Sequence, residues 1–357
     1  NDSGKTSTDF TSYFHPIGLA MKRCFLHVGF HKTASTSFQL TLEHNRQLLE
    51  QEGIYLPKFI GKNQKPSANH STYIRDIFDI KSQALRDESS ALDTPPNEQK
   101  QQTIQNHYQS LKRLLNQDHN ILISGEGIST MSKQPLIRLK SKLEQHGFTV
   151  EPFALVRPPY AFITSALQQT IKNGKHHSLI SLRPSPRNAS QNISKIPNSS
   201  RSINTLQLVF GKRINYIPFK TATSYPGGPV LFLLKEILKI EQYDQYQLIN
   251  ANRSRSNVST RLKNFLNLQH PHVDQGKLRN LFETISHQSG NNKFLLTQQE
   301  FELIKNDFKK VKREMKHKLG KPFVEEKIVF ASEFSPEDTN QILSQLSQRL
   351  YELAIKD

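Results

Sequence analysis

One turn near the start of the chain carries residue types that suit anion binding. A short apolar run ends at Gly29, Lys32 follows three positions later, and a series of small residues then leads into a predicted helix. A strand that turns directly into a helix presents free backbone N–H groups at the positive end of the helix dipole, and such a site binds anions. The series leaves room for a phosphate or sulfate and supplies hydroxyl donors: Thr33, Ala34, Ser35, Thr36 and Ser37. The turn therefore predicts an anion site, and a helix start that these hydroxyls merely cap remains the alternative.

This turn differs from the loop that binds nucleoside triphosphates. That loop has the pattern G-x-x-x-x-G-K-[ST], in which the lysine follows a second glycine. Here Lys32 comes three residues after Gly29, and no glycine stands directly before it. The pattern therefore favours a different anionic ligand.

A second motif supplies a guanidinium at another strand end. The apolar segment Phe153–Val156 is followed by Arg157, two prolines and a predicted helix that carries Ser165. A bidentate guanidinium and a hydroxyl in these places suit the binding of one more phosphate. Together, the two motifs describe a ligand with anionic groups at both ends of a nucleotide.

These two motifs resemble those of a known enzyme family. Gly29–Ser37 is similar to the 5′-phosphosulfate loop of sulfotransferases that use 3′-phosphoadenosine 5′-phosphosulfate (PAPS), and Val156–Pro159 with Ser165 is similar to their 3′-phosphate motif. The family often has Gly at the place of Ala34, and Asp or Asn at the place of Pro158.

Three weaker similarities follow in the order found in the bacterial, carbohydrate-type members of this family. Asn69-His70 follows Tyr55–Pro57, Ile123–Glu126 ends a predicted strand, and Asn250–Ser254 precedes a helical segment. The resemblance spans roughly residues 22 to 268.

The resemblance implies transfer of a sulfuryl group from PAPS to a hydroxyl or amine of a carbohydrate or cell-surface glycan. The other product is 3′-phosphoadenosine 5′-phosphate, and no metal is expected. Positioning and electrostatics carry most of such a reaction, by analogy with phosphoryl transfer. Lys32 is then the group that stabilises the bridging oxygen as it leaves. His31 either reaches the sulfuryl group or lines the turn.

The acceptor hydroxyl also needs a base, and two residues are candidates. Glu126 follows an apolar strand, at the edge where open α/β sheets bind their ligands, although it can equally cap the next helix. His70 has a side chain whose usual pKa suits a base, and its polar segment is expected to fold over the same crevice. We expect His70 to be the base and Glu126 to bind or assist the acceptor.

The order of elements predicts an α/β fold, a P-loop-type central parallel sheet flanked by helices, with long polar loops and C-terminal helices. The predicted strands are Arg23–Val28, Asn120–Ser124, Val150–Val156 and Arg213–Pro218. The predicted helices are Ser37–Gln51, Thr103–Asn116, Pro135–His146, Tyr160–Lys172, Val230–Lys239, a basic helix that begins with the capping box Thr297–Glu300 and stops at Gly320, and one from Ser335 towards Ile355. Residues 1–20 are interpreted as a tail, 21–330 as a sulfotransferase-like α/β domain, and 331–357 as a helix packing on that domain.

Composition restricts the partners and the surroundings of the protein. The 357 residues carry a formal charge of +17, which indicates an anionic partner. The single cysteine, Cys24, lies on a predicted strand, where a buried apolar role is expected. No apolar run approaches a membrane span, so the interpretation is a cytoplasmic protein with peripheral contact with an anionic membrane surface as an option. The polar links Gly61–Pro96 and His176–Ser202 are expected to select the acceptor, and arginines in the second suggest an acidic one: Arg183, Arg187 and Arg201.

Two other function classes remain open at this stage. A P-loop nucleotide kinase is weakened by the missing second glycine and by the lack of a magnesium carboxylate other than Glu126. A basic binder of nucleic acid or membrane surfaces is favoured by the net charge and by the basic segment Phe308–Lys321. That segment has few aromatic residues to stack on bases, and no specific nucleic-acid partner is expected.

Overall fold

The computed structural model describes residues 22–61, 64–79, 98–181, 196–251, 256–271 and 293–332, together with Ser344 and Ser347. Within these ranges, five parallel strands form one sheet in the order β2-β3-β1-β4-β5. The strands are β1 Lys22–His27, β2 Ile54–Tyr55, β3 Asn120–Ser124, β4 Phe148–Val156 and β5 Asn215–Pro218.

Helices cover both faces of this sheet. In chain order they are α1 Ser35–His44, α2 Arg46–Gln51, α3 Ser71–Phe78, α4 Glu98–Leu115, α5 Lys133–Gln145, α6 Pro159–Lys172, α7 Ser200–Phe210, α8 Phe219–Thr223, α9 Gly228–Phe232, α10 Asn257–Gln269 and α11 Gln298–Leu319. A 3₁₀ turn, Glu126–Thr130, follows β3, and a π-helical turn, Leu233–Ile237, continues α9.

The alternation of side chains along the strands builds two hydrophobic layers. Cys24 and Leu26 of β1 join the layer that also contains residues of α3, α4, α5, α7 and α11. Phe25 joins the opposite layer with residues of α1, α2 and α9. Successive strand residues point to opposite faces, so a sheet covered on both faces requires the nearly continuous apolar runs that this sequence has. The predicted α/β class, with a central parallel sheet flanked by helices, is confirmed, and so is the buried position of Cys24.

The strand order brings three strand ends to one edge of the sheet. His27, at the end of β1, is in register with Ser124 at the end of β3 and with Phe153 of β4. The chain leaves β1 towards β2 on one side, and it later crosses β1 to form β4 on the other side. Such a reversal opens a crevice at the carboxyl ends of the strands, where open α/β folds bind ligands.

Most predicted elements are present, with shifted bounds. The predicted helix Ser37–Gln51 is divided at Asn45, whose side chain donates to the carbonyl oxygen of Thr41 and accepts from the backbone of Gln247. The predicted helix Val230–Lys239 is a short α-helix followed by the π-helical turn. The capping box Thr297–Glu300 and the basic helix after it are confirmed.

Four elements were missed, namely β2, α3, α7 and α8. The link Gly61–Pro96 was predicted to be a polar loop, but it contains α3, which buries Ile74, Ile77 and Phe78. Their spacing of three and four residues is the signal that indicates this helix. The predicted tail 1–20, Arg183 and Arg187 lie outside the described residues. So does the predicted helix from Ser335, except for Ser344 and Ser347, which are helical.

Candidate functional site

The turn after β1, residues 28–34, is called the anion loop below. Its glycine, Gly29, is required by the close approach of two side chains. A Cβ atom at Gly29 would lie 2.7 Å from the Ser35 Oγ atom and 3.0 Å from the His27 Nε2 atom, so only glycine fits. The left-handed backbone positions of the loop are instead Lys32 and Ala34, with φ angles of 70° and 63°. The turn is therefore made by non-glycine residues in a conformation that is strained for L-amino acids.

The anion loop leads directly into α1, whose N-terminus has no side-chain cap in the part of the chain that the structure describes. Ala34 is the N-cap of α1, and no side-chain cap is formed at this end among the described residues. The first N–H groups of α1 are therefore not occupied by a capping hydroxyl, which answers the alternative that these serines and threonines merely cap the helix. An uncapped N-terminus at the edge of a cleft suits an anion.

Two hydroxyls of the predicted series form hydrogen bonds with the backbone of the protein itself. The Thr33 hydroxyl donates to the Phe30 carbonyl oxygen at 2.6 Å, and Thr33 is fully buried. The Ser37 Oγ atom accepts from the backbone N–H of Ala251 at 3.1 Å. Thr33 thus stabilises the loop, and Ser37 attaches the segment around residue 250 to α1.

A cleft of about 830 Å³ opens at this edge of the sheet, and it is called the anion cleft below. The predicted site residues that line it are His31, Lys32, Ala34, Ser35, Thr36, Ser37, Glu126, Arg157 and Ser165. Three predicted residues, Gly29, Thr33 and His70, do not line it. Lining residues that were not predicted come from α6, from β5–α9 and from the segment attached to Ser37: Gln168, Gln169, Lys172, Asn173, Phe219, Gly227, Gly228, Pro229, Val230, Leu248, Ile249 and Asn250.

Arg157 connects the two predicted motifs. Its Nε–H group donates to the Lys32 carbonyl oxygen, across 125 positions of sequence, and its guanidinium stacks on the Phe219 ring at 4.3 Å. Burial lowers the pKa of Arg157 to about 10, so it remains cationic at neutral pH. Arg157 therefore presents a largely desolvated charge beside the backbone of the anion loop, where an anion is bound more strongly than in water.

Two lysines add positive charge to this region. The Lys32 Nζ atom donates to the Gln169 Oε1 atom of α6, and both residues line the cleft. Desolvation and the nearby charge of Arg157 lower the pKa of Lys293. No sequence motif marks Lys293, because it reaches Arg157 only through the tertiary fold.

His31 and Glu126 form a pair at the mouth of the cleft. The His31 Nδ1 atom lies 3.1 Å from the Glu126 Oε2 atom, and the side chains are 56% and 20% exposed. Glu126 begins the 3₁₀ turn after β3, which puts it at the same edge as the anion loop. This carboxylate–imidazole pair is suited to accept a proton from a bound hydroxyl.

His70 does not lie where it was expected. It precedes α3 and is buried, and its backbone N–H donates to the Ser124 carbonyl oxygen at 2.9 Å. Its Nδ1 atom accepts from the Ser124 backbone N–H at 3.1 Å. Burial and the charge of Arg46 lower the pKa of His70 to about 3. The segment that carries His70 thus packs under the end of β3, in contrast to the expected loop over the crevice.

Comparisons with known proteins give little further information. No protein-family model and no curated protein matches this chain. A chain from a study of the PezAT chromosomal toxin–antitoxin system of the human pathogen Streptococcus pneumoniae is similar in structure, with 16% sequence identity. The match covers 73% of this chain and 87% of that chain at a TM-score of 0.30, too low to support an argument. Separately, no helix within the described residues is long and apolar enough to cross a membrane.

Proposed function

We propose that this protein is a sulfotransferase that transfers a sulfuryl group from PAPS to a hydroxyl or amine of a glycan. The observation that carries the proposal is the meeting of two anion-binding motifs in one cleft. Lys32 of the anion loop and the pair Arg157 and Ser165 all line this cleft. A nucleotide with a 5′-phosphosulfate and a 3′-phosphate needs two such anion sites.

In this proposal, the 5′-phosphosulfate binds to the uncapped N-terminus of α1, with Lys32, Ser35 and Thr36 as donors. The 3′-phosphate binds to Arg157 and Ser165, and Lys293 adds positive charge near Arg157. The volume of about 830 Å³ is within the usual range for ligand sites of about 300–1,000 Å³.

The chemical step needs a cation at the leaving oxygen and a base at the acceptor. As the bond from sulfur to the bridging oxygen breaks, negative charge grows on the leaving phosphate, and Lys32 stabilises it. The acceptor oxygen forms the new bond to sulfur and gives up its proton. We assign this proton to the pair His31–Glu126, because it lines the cleft and His70 does not.

The acceptor is proposed to be a glycan, and an acidic one fits the net charge of +17. Arg201, in the link expected to select the acceptor, is exposed at the start of α7. A cytoplasmic location, with contact with anionic membrane surfaces, belongs to the same proposal.

Thermal stabilisation by different ligands tests the cofactor. 3′-Phosphoadenosine 5′-phosphate is expected to raise the melting temperature more than ATP with Mg²⁺ or a short oligonucleotide, because ligands that bind only the folded state stabilise it. The variant Lys32→Ala should lose this effect, and Lys316→Ala, on the exposed face of α11, is the matched control. Stabilisation by ATP with Mg²⁺ alone would indicate a kinase, and stabilisation by the oligonucleotide alone would indicate a nucleic-acid binder.

A transfer assay then tests the reaction itself. Radiolabelled PAPS is incubated with neutral glycans, acidic glycans and no acceptor, and label in the glycan is measured. Label that depends on Lys32 supports the proposal. A protein that binds the nucleotide but labels none of a broad panel of glycans would contradict the assigned acceptor class.

A further inference from the structure

Beneath the anion loop, a chain of buried polar side chains runs from α1 to β1. The Gln39 Nε2 atom lies 3.2 Å from the Ser124 Oγ atom, which lies 2.7 Å from the His27 Nδ1 atom. All three residues are at most 2% exposed. None of them is among the predicted site residues, and the proposed chemistry does not use them.

The hydrogen bonds of this chain determine which nitrogen of His27 carries the proton. The Gln39 amide nitrogen can only donate, so the Ser124 oxygen accepts from it. Among the described residues, the Ser124 hydroxyl proton then has one acceptor within hydrogen-bond distance, the His27 Nδ1 atom. Burial lowers the pKa of His27 to about 4, which keeps the ring neutral. A neutral ring that accepts at Nδ1 carries its proton at Nε2.

The Nε2–H group of His27 is left without a partner in a buried place. No hydrogen-bond partner of this atom is present among the described residues. The ring is held between the rings of Phe38 and Phe153, with centroid distances of 5.2 and 5.1 Å, so it has little freedom to turn away. A buried donor without an acceptor is unfavourable and calls for an explanation.

A candidate acceptor, Ser35, lies at the start of α1, directly after the anion loop. A Cβ atom placed on Gly29 would lie 3.0 Å from the His27 Nε2 atom and 2.7 Å from the Ser35 Oγ atom. Both atoms therefore border the same small space beside Gly29. The Ser35 hydroxyl is only weakly held, since its contact with the Thr33 hydroxyl is 3.4 Å long. Ser35 also lines the anion cleft, so it lies between the buried histidine and the site of the anion.

We propose that His27 is a positioning residue for anion binding. When an anion occupies the loop, the His27 Nε2–H group donates to the Ser35 oxygen, and the Ser35 hydroxyl proton is thereby directed to the anion. All hydrogen bonds of the chain then run in one direction, from Gln39 through Ser124, His27 and Ser35 to the anion. Hydrogen bonds that run in one direction polarise one another, and each bond becomes stronger. The inference rests on the proposed function only for the identity of the anion.

Two substitutions distinguish the role of Nδ1 from the role of Nε2 in His27. In His27→Asn, the amide oxygen replaces Nδ1 as the acceptor for Ser124, and the donor to Ser35 is lost. In His27→Gln, the amide nitrogen reaches the place of Nε2 and restores that donor. A lost hydrogen bond weakens binding by about 2–10-fold, so His27→Asn should bind anions about that much more weakly, and His27→Gln should recover most of the loss.

A double-mutant cycle with Ser35→Ala distinguishes positioning from a general structural effect. In the Ser35→Ala background, His27→Asn should cause no further loss of affinity, since its effect passes through Ser35. Equal losses in both backgrounds, or equal losses in His27→Asn and His27→Gln, would overturn the inference.

Calorimetric titrations with 3′-phosphoadenosine 5′-phosphate and with inorganic pyrophosphate keep the two proposals distinguishable. If the wild type binds pyrophosphate but not the nucleotide, the proposed function fails, and the variants still decide the role of His27 with pyrophosphate. If the wild type binds neither, both proposals are overturned.

Nuclear magnetic resonance of ¹⁵N-histidine-labelled wild-type protein gives a test that needs no variant. A protonated Nε2 at His27, whose proton resonance shifts when the anion is added, is expected. A proton on Nδ1, or an Nε2–H resonance unchanged by a bound anion, would overturn the inference even if every variant failed to fold.

Discussion

Acid should destabilise this protein through its buried histidines, and the change His70→Asn isolates the contribution of one of them. The folded-state pKa of His70 is about 3 because the ring is buried and Arg46 lies near, whereas an unfolded histidine has a pKa of about 6.5. The folded pKa is the lower one, so the unfolded state binds more protons. The stabilising contribution is therefore complete above pH 6.5 and is lost as the pH falls towards 3.

The magnitude follows from this difference in proton binding. One pKa unit corresponds to about 1.4 kcal/mol, so at pH 5 the unfolded state gains about 2 kcal/mol from protonating one histidine that stays neutral in the fold. This value holds for any folded pKa well below 5. His27, with a pKa of about 4, adds a similar amount, so the two together lower the free energy of unfolding by about 4 kcal/mol.

Urea denaturation at pH 7.5 and pH 5.0 measures this effect. Asn at position 70 keeps an acceptor for the Ser124 backbone N–H, so His70→Asn should fold. From pH 7.5 to pH 5.0, its free energy of unfolding should fall by about 2 kcal/mol less than that of the wild type. His317→Asn, at an exposed position of α11, is the matched control for removing a histidine. An equal loss in His70→Asn and the wild type would refute the burial argument and return His70 to the candidates for the catalytic base.

Five further substitutions test the proposed site. Lys32→Ala should remove most turnover with the fold intact, as measured by labelled transfer and by circular dichroism; turnover within a few-fold of the wild type would contradict the role of this lysine. Arg157→Ala and Ser165→Ala should each weaken calorimetric binding of 3′-phosphoadenosine 5′-phosphate by about 10–150-fold, the effect of a lost charge-assisted hydrogen bond. The same nucleotide without its 3′-phosphate should be affected far less, and equal losses would show that these residues do not contact that phosphate. Glu126→Gln should lower turnover by about 10²–10⁴-fold with nucleotide affinity nearly unchanged, whereas a joint fall of affinity and melting temperature would indicate a structural role. Ala34→Gly should relieve the left-handed strain of about 1–2 kcal/mol but should cost about 0.4–1 kcal/mol of chain entropy. Urea denaturation should therefore show a gain in the free energy of unfolding of up to about 1.6 kcal/mol; a loss would mean that the alanine methyl group stabilises the loop.

Local features of this chain could be predicted from sequence because their causes are local. The run Cys24–Val28 before Gly29 predicts a buried strand and a turn, and the spacing of Thr297 and Glu300 predicts a helix start, since both depend on residues within one or two turns of the chain. The alternation of strands and helices predicts a parallel sheet for the same kind of reason. The composition of the anion loop likewise indicates an anion before any contact is known.

Contacts between distant segments were decided only by the tertiary structure. The register of β1 with β3 and β4 brings His31 to Glu126 and Arg157 to the backbone of Lys32, and it carries His70 into the interior. The Ser37 hydroxyl, besides lining the cleft, accepts a hydrogen bond from the backbone N–H of Ala251, which lies 214 positions further along the chain. A side chain's partner and pKa depend on which strands become neighbours and how much water they exclude, and no window of sequence contains that information.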